Sequence, residues 1–233
     1  MRPILVGVVV CIAIAAMAQD RVDAAGSGSQ ARDFSSLEPF GRGMTLANRE
    51  VTAYIIRAAT LPNHRYPKPV VIIWTKEAVV AEQKGGEAPT TRTVSPGQIN
   101  VYPGGTNHSL RAVKGSLHFT LIELEQSLRD PKDLPTKPAD CENIADFPEG
   151  GFACLIRIAP DKQITIPKLG VNSFFIAVSP GRVRNIIPRS RHWETRYRAG
   201  QVSYHPGYEL ARRNLEKGPL EFVLIVPPPA EYN

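Results

Sequence analysis

The feature that most limits what this chain can fold into is an internal repeat. Laying "VSPGQINVYPGG" (94–105) over "RAGQVSYHPGY" (198–208) brings Gly97 onto Gly200, Gln98 onto Gln201, Tyr102 onto His205 and Pro103 onto Pro206, at a constant offset of 103 residues. The same offset carries "FTLIEL" (119–124) onto "FVLIVP" (222–227) and "PVVIIWTKEAVV" (69–80) onto "NSFFIAVSPGRVR" (172–184). At an offset near 100, "VTAYIIRAATLP" (51–62) resembles "FACLIRIAPDKQ" (152–163). A fixed period of this kind means two units built to one plan. Apolar and polar residues alternate within the segments, Ile99 and Val101 against Gln98 and Asn100, and Val202 and Tyr204 against Gln201 and Ser203. That is the period of strands with one buried face.

Twenty-one prolines and eighteen glycines break the chain into short runs. The expectation is therefore all-β, with a small antiparallel sandwich or barrel in each half that hides its apolar face by folding the sheet onto itself. The limits read as an N-terminal arm at 19–49, a first barrel at 50–125, a polar and proline-rich linker at 126–151 and a second barrel at 152–229. "ELARRNLEKG" (209–218) reads as a loop and "KGGE" (84–87) as a hairpin tip.

Residues 1–18, "MRPILVGVVVCIAIAAMA", carry Arg2, an apolar run and an A-x-A site, the layout of a secretory signal cleaved after Ala18. The run is short for a membrane span. The expected product is periplasmic or secreted, with no membrane attachment after cleavage. The net charge of +6 is spread along the chain without a basic run, which argues against a nucleic-acid partner. Past the leader, Cys141 and Cys154 form an even pair in an oxidising compartment, and a disulfide between them is expected, worth roughly 3 kcal/mol for so short a loop.

With Gly97, Pro103, Gly105 and His108 on the page, the first half resembles the cupin family, and the pairing of halves resembles a bicupin, which implies two tandem antiparallel barrels of jelly-roll type. Those four residues match the second cupin motif, with Ala112 where asparagine is usual. The first cupin motif is met by His64, with Tyr66 at the second histidine position and Val70 or Val71 where the glutamate falls. The second half departs further, with Leu210 or Ala211 where the motif's histidine belongs.

The resemblance implies a site built from His64, Tyr66 and His108. Strand alternation turns His64 and Tyr66 inward together, and His108 approaches from another strand. If an ion is held, His64 and His108 are its ligands and iron, manganese or zinc the candidates. Two imidazoles are fewer protein ligands than catalytic sites generally use, and Tyr66 completes a set only as a phenolate. Without an ion the three act as hydrogen-bonding or acid/base groups. The nearest carboxylates are Glu77 and Glu82, the latter expected to be solvated.

Of the other histidines, His118 reads as an exposed strand residue, His192 as part of a loop or hairpin and His205 as a wall residue. Arg182, Arg184, Arg196 and Arg198, spaced in pairs, form a ligand-binding set with Trp193 if they face the second barrel's interior, and otherwise a wet outer face. No nucleophile elbow is present. Three functions compete: binding or modest processing of a small polar ligand, sugar or organic acid, in the first barrel; a metal-dependent oxygenase or isomerase; and a structural protein that dimerises through exposed strands.

Overall fold

The computed structural model describes residues 51–124, 136–147, 150–169, 172–205 and 207–227, together with the backbone of 32–33 and 42–47. The expected leader lies outside the described residues. Nineteen strands and no helix occur among them. The first ten are β1 (Arg32–Asp33), β2 (Arg42–Ala47), β3 (Val51–Ala58), β4 (Thr60–Arg65), β5 (Val70–Trp74), β6 (Ala78–Lys84), β7 (Thr90–Val94), β8 (Ile99–Tyr102), β9 (Asn107–Lys114) and β10 (Leu117–Leu124). They form two sheets, in the orders β1-β4-β9-β6-β7 and β2-β3-β10-β5-β8.

The second set is β11 (Cys141–Asp146), β12 (Phe152–Ile158), β13 (Gln163–Ile166), β14 (Ser173–Ala177), β15 (Gly181–Ile186), β16 (His192–Tyr197), β17 (Val202–His205), β18 (Leu210–Asn214) and β19 (Leu220–Val226). Its sheets run β13-β18-β15-β16 and β11-β12-β19-β14-β17. Strand for strand this repeats the first set, apart from the short β1, which pairs in parallel with β4. The chain is all-β, with a jelly-roll barrel in each half.

Three segments fall differently from their sequence reading. The stretch read as an arm supplies β1 and β2, and the stretch read as a linker supplies β11. A disulfide between Cys141 and Cys154 ties β11 to β12. Residues 210–214, read as loop, are β18, whose inward row Leu210, Arg212 and Asn214 lacks the apolar alternation that marks a strand in sequence.

The continuous apolar runs have a simple cause. Every residue of β5 (VVIIW) and of β14 (SFFIA) is buried. Val70, Ile72 and Trp74 face the interior of the first barrel, while Val71 and Ile73 enter a separate core with Ile122, Leu155, Phe174, Ile176, Val223 and Ile225. That core joins the five-stranded sheets of the two barrels face to face. A strand between two cores is apolar on both sides.

The same packing explains the repeated glycines. Gly97 and Gly200 adopt φ of 78° and 83°, the third position of a turn that needs positive φ. In each turn the following glutamine accepts a hydrogen bond from the backbone three residues before it, Ser95 N–H to Gln98 Oε1 at 3.2 Å and Arg198 N–H to Gln201 Oε1 at 3.1 Å. Each turn also presses on the other barrel. A Cβ on Gly97 would lie 3.0 Å from Leu155, and one on Gly200 would lie 3.1 Å from Thr120, whose hydroxyl donates to the Gly200 carbonyl at 3.0 Å. Gly97→Ala and Gly200→Ala are each expected to cost about 1–2 kcal/mol through the left-handed backbone alone. Urea denaturation of the two variants checks this, and unchanged midpoints would count against it.

Candidate functional site

The interior of the first barrel is polar at one end, and the alternation along β8 shows why. Ile99 and Val101 pack against the core between the barrels, so Asn100 and Tyr102 turn into the barrel. On β17 the same rule turns Ser203 and His205 inward and leaves Tyr204 46% exposed, where sequence reading had Val202 and Tyr204 as one buried row.

His64 is the penultimate residue of β4 and Tyr66 follows the strand. Both are fully buried while Arg65 between them is exposed. His108 on β9 lies opposite His64 in register, with ring centroids 5.5 Å apart. The sheet therefore brings the three sequence-predicted residues together. It adds a fourth that sequence reading placed in solvent: Glu82 on β6 is 4% exposed. Glu82 shares the inward row of Ala78 and Val80, a signal present in the sequence as period 2. Glu77 is exposed.

Glu82 organises the cluster. Its Oε1 accepts from Tyr102 O–H at 2.7 Å and from His108 Nε2 at 3.1 Å, and its Oε2 accepts from Arg92 Nε at 2.7 Å. Arg92 and Trp74 both donate to Asn100 Oδ1, at 3.2 and 3.0 Å. Lys84 Nζ stands 3.6 Å from Glu82 Oε1. Burial opposes ionisation of Glu82, but the hydrogen bonds from His108, Tyr102 and Arg92 and the Arg92 charge outweigh it and hold the carboxyl below the usual carboxylate range.

An anionic Glu82 only accepts, so His108 carries its proton on Nε2 and offers the Nδ1 lone pair to Tyr66 O–H, 3.0 Å away. Burial lowers the His108 pKa, with Glu82 pulling the other way. His64 donates from Nδ1 to the Pro62 carbonyl at 2.7 Å, and burial lowers its pKa to about 4 against the opposing pull of that bond. Burial, followed by Tyr102, Glu82 and Glu123, raises the Tyr66 pKa well above the ordinary phenol value.

The result is a chain of hydrogen bonds, Tyr66 to His108 to Glu82, with a neutral phenol at one end and a fixed anion at the other. A carboxylate that sets an imidazole's tautomer for a hydroxyl on its far side is an acid/base arrangement. It fits a divalent ion poorly as it stands. Both ring nitrogens of His108 are engaged, Tyr66 is held as a phenol, and no three His, Cys, Asp or Glu side chains among the described residues converge as a metal site.

The second barrel differs. The arginine pairs face outward, because Val183 and Asn185 occupy the inward row of β15. Arg182 pairs with Glu216 and Arg184 with Glu194, while Arg196 and Arg198 are exposed. Arg191 lies 5.3 Å from the ring of Trp193, and His192 is exposed on β16. Arg182 and Arg196 line a depression of about 630 Å³ at the outer end of this barrel, remote from the His64 cluster. Sequence reading missed the interior cation of this barrel, Arg212, 3% exposed. His118 on β10 is half-buried and His205 is buried.

No protein-family model and no curated protein matches the sequence. Solved structures do. A single-residue variant of Bacillus subtilis oxalate decarboxylase superposes with a TM-score of 0.55 at 15% identity, over 80% of this chain and 71% of that one. The same enzyme in a study of its Mn(II) centres gives identical figures. Its structure at pH 4.6 gives a TM-score of 0.54 at 15% identity, over 79% and 69%. The strand order, the repeated register and this likeness lead to one conclusion: the chain has the cupin fold in its two-barrel, bicupin form.

Proposed function

We propose that this chain is an exported bicupin-fold protein whose first barrel binds a small organic acid and handles it by hydrogen bonding and proton transfer through His64, Tyr66 and His108. The observation that carries the reading is the Tyr66–His108–Glu82 chain, which keeps a donor, a neutral imidazole and an anion in fixed order. An acid is favoured over a sugar by charge: Lys84 and the quarter-exposed Arg92 give the solvent side of the cluster two cations for one carboxylate. The fold neighbours are decarboxylases of oxalate, itself an organic acid.

A second reading is a metal-dependent cupin enzyme using His64 and His108. It is favoured by the Mn(II) centres named for the neighbouring structure and by the His64 ring, whose Nδ1 is anchored on a backbone carbonyl as in many ligating imidazoles. It requires one ring nitrogen of His108 to be released, either Nε2 from Glu82 or Nδ1 from Tyr66.

Organic acids and sugars screened against metal-stripped protein, with the side-chain ¹⁵N shift of His108 as readout, test the first reading. An organic acid is expected to shift the signal, and Tyr66→Phe to weaken binding about tenfold for one lost buried hydrogen bond. Equal affinity in Tyr66→Phe would remove the cluster from the account. Stoichiometric metal in untreated protein that disappears in the His64→Ala, His108→Ala double variant would favour the second reading.

A further inference from the structure

The second barrel encloses a cation, Arg212, with no counter-ion among the described residues. Arg212 on β18 pairs in register with Asn185 on β15, so the two side chains share the interior face. Its guanidinium lies 4.0 Å from the centroid of the Phe175 ring, 5.4 Å from that of Phe222 and 5.7 Å from that of Tyr197. Its Nε and Nη1 find no acceptor among the described residues. Aromatic faces attract a cation but satisfy none of its N–H groups.

Two neighbours are also incomplete. Asn185 donates to Thr195 Oγ1 at 2.9 Å, yet its Oδ1 accepts nothing among the described residues. His205 packs on the same Phe175 ring, with centroids 5.7 Å apart. Its Nδ1 accepts from Gly207 N–H at 3.3 Å and lies 3.3 Å from Ser173 Oγ, whose hydroxyl is then a second donor to it; the proton sits on Nε2, and that N–H has no acceptor among the described residues.

The first barrel shows what is missing. There β6 and β9 pair Glu82 with Leu110, and the corresponding pair in β15 and β18 is Asn185 with Arg212. The carboxylate has become an amide and the leucine an arginine. Thr195 stands where the first barrel has Arg92, pairing with Val183 as Arg92 pairs with Val80. Among the described residues, one barrel supplies its own interior anion and the other an interior cation without one. Arginine does not escape burial by losing its proton.

We propose that the second barrel is a binding site for a small carboxylate, held by the unpartnered N–H groups of the Arg212 guanidinium and the Nε2–H of His205, with Phe175, Tyr197 and Phe222 as walls. A carboxylate accepts from guanidinium N–H groups, and the ring cage suits a short carbon chain. This site is separate from the His64 cluster and does not depend on the function assigned to it.

The test is thermal unfolding of the folded, full-length chain without its leader, in sodium acetate or sodium malonate against sodium chloride and sodium phosphate at equal ionic strength. A saturable rise in Tm on the order of 5 °C is expected for a carboxylate at a hundredfold excess over Kd. Measured in the Tyr66→Phe background, which weakens the first-barrel site, the rise should persist, and it should vanish when Arg212→Met is added. Asn185→Asp, which puts a carboxylate opposite Arg212, should remove the response while raising the basal Tm, and it keeps the test usable if Arg212→Met does not fold. The proposal is overturned by equal responses to chloride or phosphate, by a response that survives Arg212→Met in the Tyr66→Phe background, by one lost in Tyr66→Phe alone, or by none to any anion.

Discussion

The free energy of unfolding is expected to fall by about 3 kcal/mol for each of two buried histidines as the pH drops from 6.5 to 4. Burial lowers His64 to about 4 against the pull of its Pro62 hydrogen bond, and burial with the Arg212 charge lowers His205 to about 4. Both are buried, so little is lost to solvent screening. A histidine with a folded value below its unfolded value of about 6.5 binds its proton more tightly in the unfolded chain. Each therefore contributes stability that is complete above pH 6.5 and drains away as the pH approaches 4.

Glu82 adds little to that window. Its folded value lies below the usual carboxylate range, so its contribution is present above about pH 4.3 and is lost only at lower pH. Urea titrations of metal-stripped protein at half-unit steps separate the two groups. A flat profile between pH 6.5 and 4 would show that the imidazoles reach water before the fold gives way. Where His64→Gln and His205→Gln variants fold, each should flatten its own share of the slope.

How much of this was legible in the sequence depends on what sets each feature. The repeat was visible because its turns need particular residues, Gly97 and Gly200 for positive φ and Gln98 and Gln201 to close the loop. His64, Tyr66 and His108 were found through the resemblance to the two cupin motifs, in which Gly97, Pro103 and Gly105 mark the turn before the strand that carries His108. Glu82 escaped because no turn or motif marks it; only its place in the row of Ala78 and Val80 gave it away.

The polar lining of both barrels was hidden by the core between them. When a strand faces apolar surroundings on its outer side, alternation tells which residues share a face but not which face is the inside. Ile99 and Val101 were the natural choice for the barrel interior, yet Asn100 and Tyr102 are the ones that line it. Arg212 was lost for a related reason, since an inward row of leucine, arginine and asparagine has no apolar period to recognise.

Replacing Glu82 by alanine is the substitution expected to damage the first barrel most. One carboxylate receives the protons of His108, Tyr102 and Arg92, and its removal leaves two buried donors without an acceptor and Arg92 with Asn100 as its remaining partner. Removing one partner of a buried ionic network costs about 3–5 kcal/mol, against at most about 1 kcal/mol for a surface pair. Glu82→Gln keeps the volume and one acceptor oxygen but loses the charge that fixes His108 with its proton on Nε2, and is expected to cost about 1–3 kcal/mol. Guanidinium denaturation measures both. A double-mutant cycle with Tyr66→Phe adds the decisive readout: if Glu82 acts on Tyr66 through the His108 tautomer, the two losses overlap and the pair costs less than their sum. Simple additivity, or a loss below 1 kcal/mol for Glu82→Ala, would return Glu82 to the solvated role its sequence position suggests and dissolve the relay on which the proposed chemistry rests.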